Sequence, residues 1–439
     1  MKRSELIIDI GTSKISTIAA NFDEQKISIN FLKSYSSFGI KKGKVVDMEA
    51  LTRAIKRAVN DMETQLNIKS KKVSICYSGV DIKGTYSTGT IKVKKRIITE
   101  EEVNSTIESA SAMILPQDRE IIHVLPVEFV VDENSGIRDP IGMRGQRLEA
   151  RVYAITASST QIQNIINCCN KAGFDVEKVI LQSIASSEAV LSYHDKDLGC
   201  LVVDIGAGTT DIAVFYDGYL RHLSNFAIAG NHITNDLAIG LKISYNEAER
   251  IKKQFGTALT EIYFFPSRKS QKENLIKFGN LNSKNNVSEI EILAPDKSVI
   301  KIPISIINEI VSARCEEIIE MIRNKLNSIP EDVQISSVIL TGGISLMKGF
   351  ATFAESLLSL PVRVVKPDTG LVELFSELGW DDSLIYENNI LSEHFTPEFS
   401  SLIGALIYKI REEIYGAQTS EGEKFYKKFK RWISSLINL

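Results

Sequence analysis

The sequence predicts an α/β molecule built from two duplicated lobes, and three observations carry that prediction. An apolar strand runs through an acid into a glycine turn twice, in ELIIDIGTSK at residues 5–14 and in LVVDIGAGTTDIAVF at residues 201–215. The shared apolar-apolar-Asp-Ile-Gly core, at Asp9 and Asp204, marks an internal repeat. A third strand ends in a glycine pair in SVILTGG, residues 337–343. With 439 residues, 44% of them hydrophobic and 24% charged, the chain is long enough for about two to four domains, and its composition is that of globular domains with sizeable cores.

Taken in order, residues 5–20 read as a strand, a turn at Gly11-Thr12-Ser13 and a returning strand from Ile15. Residues 55–67 have helical spacing and 71–79 read as a buried strand. The segment 83–157 changes character. It offers alternating strands, a helix with Thr99 as cap and Glu102 at the capping-box position, and the turn-rich piece SGIRDPIGMRGQRLEARVYAIT, so it is predicted to be an inserted subdomain. Residues 157–173 form a helix ending at a C-cap glycine, and 178–181 a short strand. Small and apolar residues alternate over 182–193, as suits a helix packed closely between two sheets.

After the repeat at 201–215, residues 235–256 read as helical, with Glu249 and Lys252 on one face. Residues 266–290, rich in Ser, Asn and Lys, are predicted to be a surface excursion. A long amphipathic helix covers 304–327, a helix follows the third glycine turn at 348–358, and another covers 399–415. Residues 416–422 are a short polar linker.

The hairpin at 201–215 suits a phosphate. Glycine lets backbone come close to an anion, successive N–H groups can point at it, and Thr209 and Thr210 add hydroxyls. Asp204 and Asp211 flank the Gly206-Ala207-Gly208 turn and could hold magnesium through its water shell, since that ion dehydrates reluctantly. Read alone, the stretch fits equally a β-hairpin whose glycines merely turn the chain.

Composition excludes other classes. A formal net charge of -3 provides no field for nucleic acid. Cys76, Cys168, Cys169, Cys200 and Cys315 lie in or beside apolar segments with no C-x-x-C spacing, which predicts reduced core thiols rather than a zinc site. The basic start MKRSELIIDIG enters a strand too soon for a signal-peptide apolar region, and no apolar run reaches transmembrane length.

The final stretch, residues 423–439, differs from the rest. On a helical wheel Phe425, Phe429, Trp432, Ile433, Leu436 and Ile437 share one face, while Lys424, Lys427, Lys428 and Arg431 lie opposite. This pattern predicts a helix lying on an anionic membrane surface, with docking on the protein's own body as the alternative.

Three glycine turns with acids at Asp9, Asp204 and Asp211 resemble the cleft of the actin-like ATPase superfamily, whose lobes are duplicated ribonuclease-H-like domains. The resemblance implies ATP and Mg2+ as cofactors. Gly11, Thr12, Ser13 and Lys14 would clasp the phosphates from one lobe, and Gly206, Ala207, Gly208, Thr209, Thr210 and Asp211 from the other. Gly342 and Gly343 would approach the adenosine, and Glu249 and Lys252 the ribose or adenine. Asp9 and Asp204 would hold the metal, and Gln182 would orient the attacking water, so that the catalytic set is Gln182, Asp204 and Asp9. For Glu249 and Lys252 an exposed helix ion pair is the other reading.

Within the superfamily, GIRDPIGMRGQRLEARVYAIT at 136–156 resembles the FtsA family of bacterial cell-division proteins, and LTGGISLMKGF and the cationic last helix fit it in the same order. Ala207 stands where that family usually has Gly, Gln182 where it often has Glu, and Ser183 where it usually has Pro. The resemblance implies a first lobe at 1–82 and 158–197 with 390–415 packed back on it, the insert at 83–157, and a second lobe at 198–234 and 301–389. It also implies a nucleotide-side subdomain at 235–300 that touches FtsZ. The implied partners are the FtsZ C-terminal tail, further copies of the chain in a filament, anionic inner-membrane lipids and other division proteins. The place would be the cytoplasmic face of the inner membrane at the division site, with slow ATP hydrolysis as an assembly switch. A metabolite kinase of the same superfamily or a pilus-assembly relative is the alternative; a kinase needs a base at the substrate hydroxyl, and no further Asp beside the first-lobe turn serves.

Overall fold

The computed structural model describes residues 3–22, 27–66, 72–94, 96–259, 289–293, 299–379, 385 and 394–416. The predicted terminal helix, with Phe425, Lys427, Lys428, Phe429, Arg431, Trp432, Ile433 and Leu436, therefore lies outside the described residues, as does most of the polar 266–290 stretch.

The chain opens with β1 (Arg3–Ile10), β2 (Lys14–Phe22) and β3 (Ile27–Ser36), a small hairpin of β4 (Ile40–Lys41) and β5 (Lys44–Val45), helix α1 (Met48–Leu66) and β6 (Lys72–Tyr77). Next come β7 (Lys83–Lys92), α2 (Glu100–Ser111), β8 (Arg119–Val131), β9 (Asn134–Ile137) and β10 (Arg147–Ser158). These four strands form their own sheet in the order β7-β10-β8-β9. The Thr99 N–H donates to the Glu102 carboxylate at 2.8 Å, which stops α2 from fraying at its start.

Helix α3 (Ser159–Lys171), β11 (Asp175–Leu181), α4 (Gln182–Val190) and α5 (Tyr193–Leu198) return the chain to the first sheet, whose order is β11-β6-β1-β2-β3. Strands β12 (Cys200–Ile205), β13 (Thr210–Tyr216) and β14 (Tyr219–Phe226) then start a second sheet. It closes much later with β17 (Ser337–Thr341) and β18 (Val362–Val364), in the order β14-β13-β12-β17-β18. Between them lie α6 (Gly230–Leu241), α7 (Tyr245–Phe255), the two-stranded β15 (Glu289–Leu293) and β16 (Val299–Pro303), and α8 (Ile304–Leu326). Helices α9 (Phe350–Leu358), α10 (Asp368–Leu378) and α11 (Ser400–Gly416) complete the described chain.

The helical stretch 235–256 is divided between two helices. Lys242 adopts φ 56 and ends α6, and the Ser244 hydroxyl accepts the Glu247 N–H at 3.2 Å to restart the chain as α7. A serine with an acid three residues on is a helix start, and that local signal outweighs the continuous apolar period.

Over residues 400–411 helix α11 is covered on all sides. Leu402, Ile403, Ala405, Leu406, Ile407 and Ile410 are fully buried, and each such Leu or Ile contributes about 1.5–3 kcal/mol by leaving water. Its close crossing with α4 depends on Gly404: a methyl group there would sit 1.7 Å from the Ala185 carbonyl oxygen. The sequence thus places a residue without a side chain where two backbones meet.

Candidate functional site

The two repeated strand-turn-strand units close in the same way. The Gly11 N–H donates to the Lys14 carbonyl and the Gly206 N–H to the Thr209 carbonyl, both at 3.0 Å. Neither Gly11, Gly206 nor Gly208 needs a left-handed backbone; proximity requires glycine at Gly11 and Gly208, whereas a methyl group on Gly206 would make only ordinary contact, 3.4 Å from the Thr209 carbonyl oxygen. A methyl group on Gly208 would lie 2.4 Å from the Thr12 hydroxyl oxygen, so the turn of the second lobe abuts the turn of the first. Ala207 also avoids positive φ, which removes the conformational objection to a side chain at that place. From behind, α6 braces the turn, with the Gly230 and Asn231 N–H groups donating to the carbonyls of Gly206 and Ala207 at 3.1 and 2.8 Å.

Strand register gathers the acids. Asp204 pairs across the sheet with Asp211 on one side and Thr341 on the other, and Asp9, one residue before the end of β1, pairs with Cys76 of β6. All three carboxylates are buried. Each has its own serine. Ser401 Oγ donates to Asp9 Oδ2 at 2.7 Å, Ser186 Oγ makes a short bond to Asp204 Oδ2, and Ser78 Oγ donates to Asp211 Oδ2 at 2.7 Å. Gln182 Nε2 adds a longer bond of 3.4 Å to Asp204. Sequence reasoning missed these three serines. Ser186 was within reach, since it lies one helical turn after Gln182 and so on the same face; nothing local signals Ser78 or Ser401.

Burial pushes the Asp204 carboxyl up to about 6 against the Ser186 hydrogen bond, with the charge of Asp9 adding to it. Burial likewise lifts Asp211 to about 7 against its bond from Ser78, helped by the charge of Asp204. Asp9 is raised by burial, opposed by Ser401 and Lys14. Its Oδ1 is buried without a hydrogen-bond partner. Asp9 hinders the ionisation of Asp204, and both hinder that of Asp211; among the described residues no three such side chains are grouped closely enough to ligate a metal directly, so a divalent cation here would be held through its water shell, its charge restoring the ionised forms.

A pH dependence follows for the metal-free chain. Asp204 and Asp211 bind protons more tightly folded than unfolded, so their stabilising contribution is complete below about 4 and is lost as pH rises through about 6 to 7. The Asp204→Asn, Asp211→Asn double variant is expected to lack this decline. Denaturant titrations of both chains from pH 5 to 8 check it; parallel curves would contradict it.

The other predicted residues are placed as follows. Lys14 Nζ reaches the Glu398 carbonyl at 2.8 Å and its carboxylate at 3.2 Å, and lies 4.4 Å from the Phe399 ring centre. The Thr210 hydroxyl donates to the Ile228 carbonyl at 2.7 Å, which makes it a brace for the turn. Thr209 Oγ1 lies 3.0 Å from Ser78 Oγ. Ser13 is exposed at the first turn. Gly342 has φ +81, and a methyl group there would meet Asp204 Oδ1 at 2.4 Å, whereas one on Gly343 would meet nothing. Thr341 Oγ1 lies 2.6 Å from Ser400 Oγ, which ties the third turn to α11. Lys252 is buried rather than surface-paired: its Nζ meets Glu249 Oε2 at 2.6 Å and Thr234 Oγ1 at 2.9 Å. Burial lowers its pKa despite Glu249. The pair sits against the start of α6, since Lys252 also donates to the Gly230 carbonyl at 3.3 Å.

A cavity of about 300 Å³ lined by Asp195, Ser336, Glu355 and Arg363 shares no residue with this cleft. It lies by the opposite ends of β12 and β17, away from the acids.

Two family profiles match the chain: one described as cell division protein FtsA, over residues 201–404, and one described as SHS2 domain inserted in FTSA, over residues 79–156. The cell division protein FtsA of Neisseria meningitidis is 34% identical over 404 residues, covering 91% of this chain and 88% of that one. The chain belongs to the FtsA family. The FtsA of Borreliella burgdorferi is 33% identical over 444 residues, with 98% of this chain and 97% of the relative covered. Among solved structures, the PilM-PilN type IV pilus biogenesis complex matches with TM-score 0.59 at 15% identity, over 92% of this chain and 98% of that chain. MreB5 of Spiroplasma citri bound to ADP matches with TM-score 0.51 at 12% identity, over 94% and 98%. At such identities these show the fold, which is the actin-like one. In this FtsA-family chain the SHS2 match falls on the separate sheet formed by β7 to β10.

Proposed function

We propose that this chain is an actin-like cell-division protein that binds ATP with magnesium in the cleft between its two repeated turns. It assembles with further copies of itself and joins FtsZ filaments to the cytoplasmic face of the inner membrane. The observation that carries the nucleotide site is the set of three buried acids, with Asp9 Oδ1 unpartnered, lying under two turns that abut at Thr12 and Gly208. Magnesium would neutralise the acids and the phosphates together. Asp9 and Asp204 are the residues proposed to hold it through water, Gln182 to orient a water molecule, and the N–H groups of both turns to take phosphate oxygens. Glu249 and Lys252 are proposed on the nucleoside side.

The membrane arm rests on the cationic amphipathic pattern of residues 423–439. One such helix binds weakly, whereas a filament bearing many binds tightly through multivalency. The full chain is expected to pellet with anionic liposomes and a chain ending at Tyr415 to stay in solution. Equal pelleting of the two would sink the tether. Binding of a labelled FtsZ C-terminal peptide, with and without ATP, tests the partner.

A further inference from the structure

The β4–β5 hairpin, IKKGKV, projects its tip between the two phosphate turns. The Gly43 N–H donates to the Thr12 hydroxyl at 3.4 Å. A methyl group on Gly43 would lie 2.8 Å from the Ser78 carbonyl oxygen and 3.2 Å from Thr209 Cγ2. The backbone of the tip is thereby lodged against one residue from each turn, and the lysine before it is carried to the mouth of the cleft. Lys42 is exposed and, among the described residues, has no carboxylate partner.

The other lysines of the cleft are occupied. Lys14 is bound to Glu398, and Lys252 is buried against Glu249. Among the described residues the floor carries three acids and no free cation, so the negative charge of a phosphate chain has its countercharge to find at the roof.

The turn itself does not ask for a lysine. Lys42 and Gly43 have φ of 52 and 72, the two successive positive values of a tight hairpin turn in which Asn-Gly or Asp-Gly is preferred. A lysine held left-handed at that place costs about 1 kcal/mol or more relative to a relaxed conformation. Lys42 is also near enough to His232, at the start of the helix that braces the Gly206–Gly208 turn, for its charge to depress that imidazole's pKa, after burial. The cation from the first lobe therefore acts on the second.

We propose that Lys42 is a ligand of the terminal phosphate of a bound nucleoside triphosphate, so that the β4–β5 hairpin distinguishes triphosphate from diphosphate. This rests on the nucleotide reading above and adds to it the group that senses the third phosphate. With the phosphate lost, Lys42 loses its countercharge while the contacts of Gly43 to both turns remain.

Lys42→Asn tests this cleanly, because asparagine suits the turn and removes only the cation. Dissociation constants are measured by calorimetry in magnesium for ADP and for a non-hydrolysable ATP analogue, on the full chain, Lys42→Asn, Lys41→Asn and Asp204→Ala. Lys42→Asn is expected to weaken the triphosphate analogue by about tenfold to a hundredfold, the range of a charge-assisted hydrogen bond, and to leave ADP unchanged. Lys41→Asn, one residue away with the same charge change, is expected to alter neither ratio. Equal weakening of both nucleotides by Lys42→Asn, or no change, overturns the inference while binding that is lost in Asp204→Ala keeps the nucleotide site. Absence of binding by the unmodified chain overturns both.

Discussion

Replacing Arg411 with methionine is expected to lower the unfolding free energy by about 3–5 kcal/mol, the cost of stripping one partner from a buried ion pair. Arg411 of α11 makes a short contact with Glu188 Oε2 and meets Glu377 Oε2 at 3.0 Å, while Lys196 Nζ meets Glu188 Oε1 at 2.9 Å. Two cations and two carboxylates thus neutralise one another out of contact with water, none of the four side chains being more than 6% exposed. Burial alone would raise the Glu188 pKa, and the two cations outweigh it and lower it. A lowered carboxylate contributes stability that is complete above its unfolded value and lost as pH falls through the folded one. The gap between wild type and variant is therefore expected to narrow in acid, below about 4.5. Denaturant titration at pH 7 and pH 4 measures both effects. Arg363→Met provides the comparison: its pair with Asp195 is half exposed on the arginine side, and such pairs contribute at most about 1 kcal/mol. If the two variants lose the same amount, the buried cluster is not what holds α11 to α4.

The second large effect is expected from a single methyl group. Gly404→Ala sets a carbon 1.7 Å from the Ala185 carbonyl oxygen, and backbone cannot yield there as a flexible side chain would. Overpacking costs about 1–3 kcal/mol, and a clash between two helix backbones belongs at the top of that range. Because α4 also carries Gln182 and Ser186, its displacement moves both away from Asp204, so metal–nucleotide binding is expected to weaken along with stability. Gly343→Ala is the matched control: its methyl group meets open space and its φ is not positive. Stability within about 0.5 kcal/mol of wild type is expected there. A Gly404→Ala chain as stable as the control would show that the crossing can open.

What could be read from the chain alone was whatever depends on neighbours in sequence. The strands around Asp9 and Asp204, the turns that follow them and the capping pair Thr99–Glu102 are written in consecutive residues, and the structure places them as read. Gln182 came into view through a family likeness, yet its helix and its bond to Asp204 are real features of this chain. Ser78 and Ser401 could not be found that way. Each is one hydroxyl among many, and its meaning comes from an acid far along the chain that only tertiary packing brings within 2.7 Å, α11 against β1 for Ser401 and the end of β6 against β13 of the other sheet for Ser78. Lys252 shows the opposite failure. Its spacing from Glu249 is that of an exposed ion pair, and only the packing of α7 on α6 and α8 makes it buried.

The bond from Ser401 to Asp9 spans 392 residues. At synthesis rates of about 5–20 residues per second, the first strand waits roughly 20–80 s for the helix that covers one of its faces. Until then Ile7, Ile18 and Ile180, which later pack with α11, have no cover from it. The emerging chain must spend that interval either shielded by another molecule or loosely collapsed. The arrival of α11, rather than local helix or sheet formation, therefore sets when the first lobe can close, and a chain truncated before residue 400 is one that never finishes its beginning.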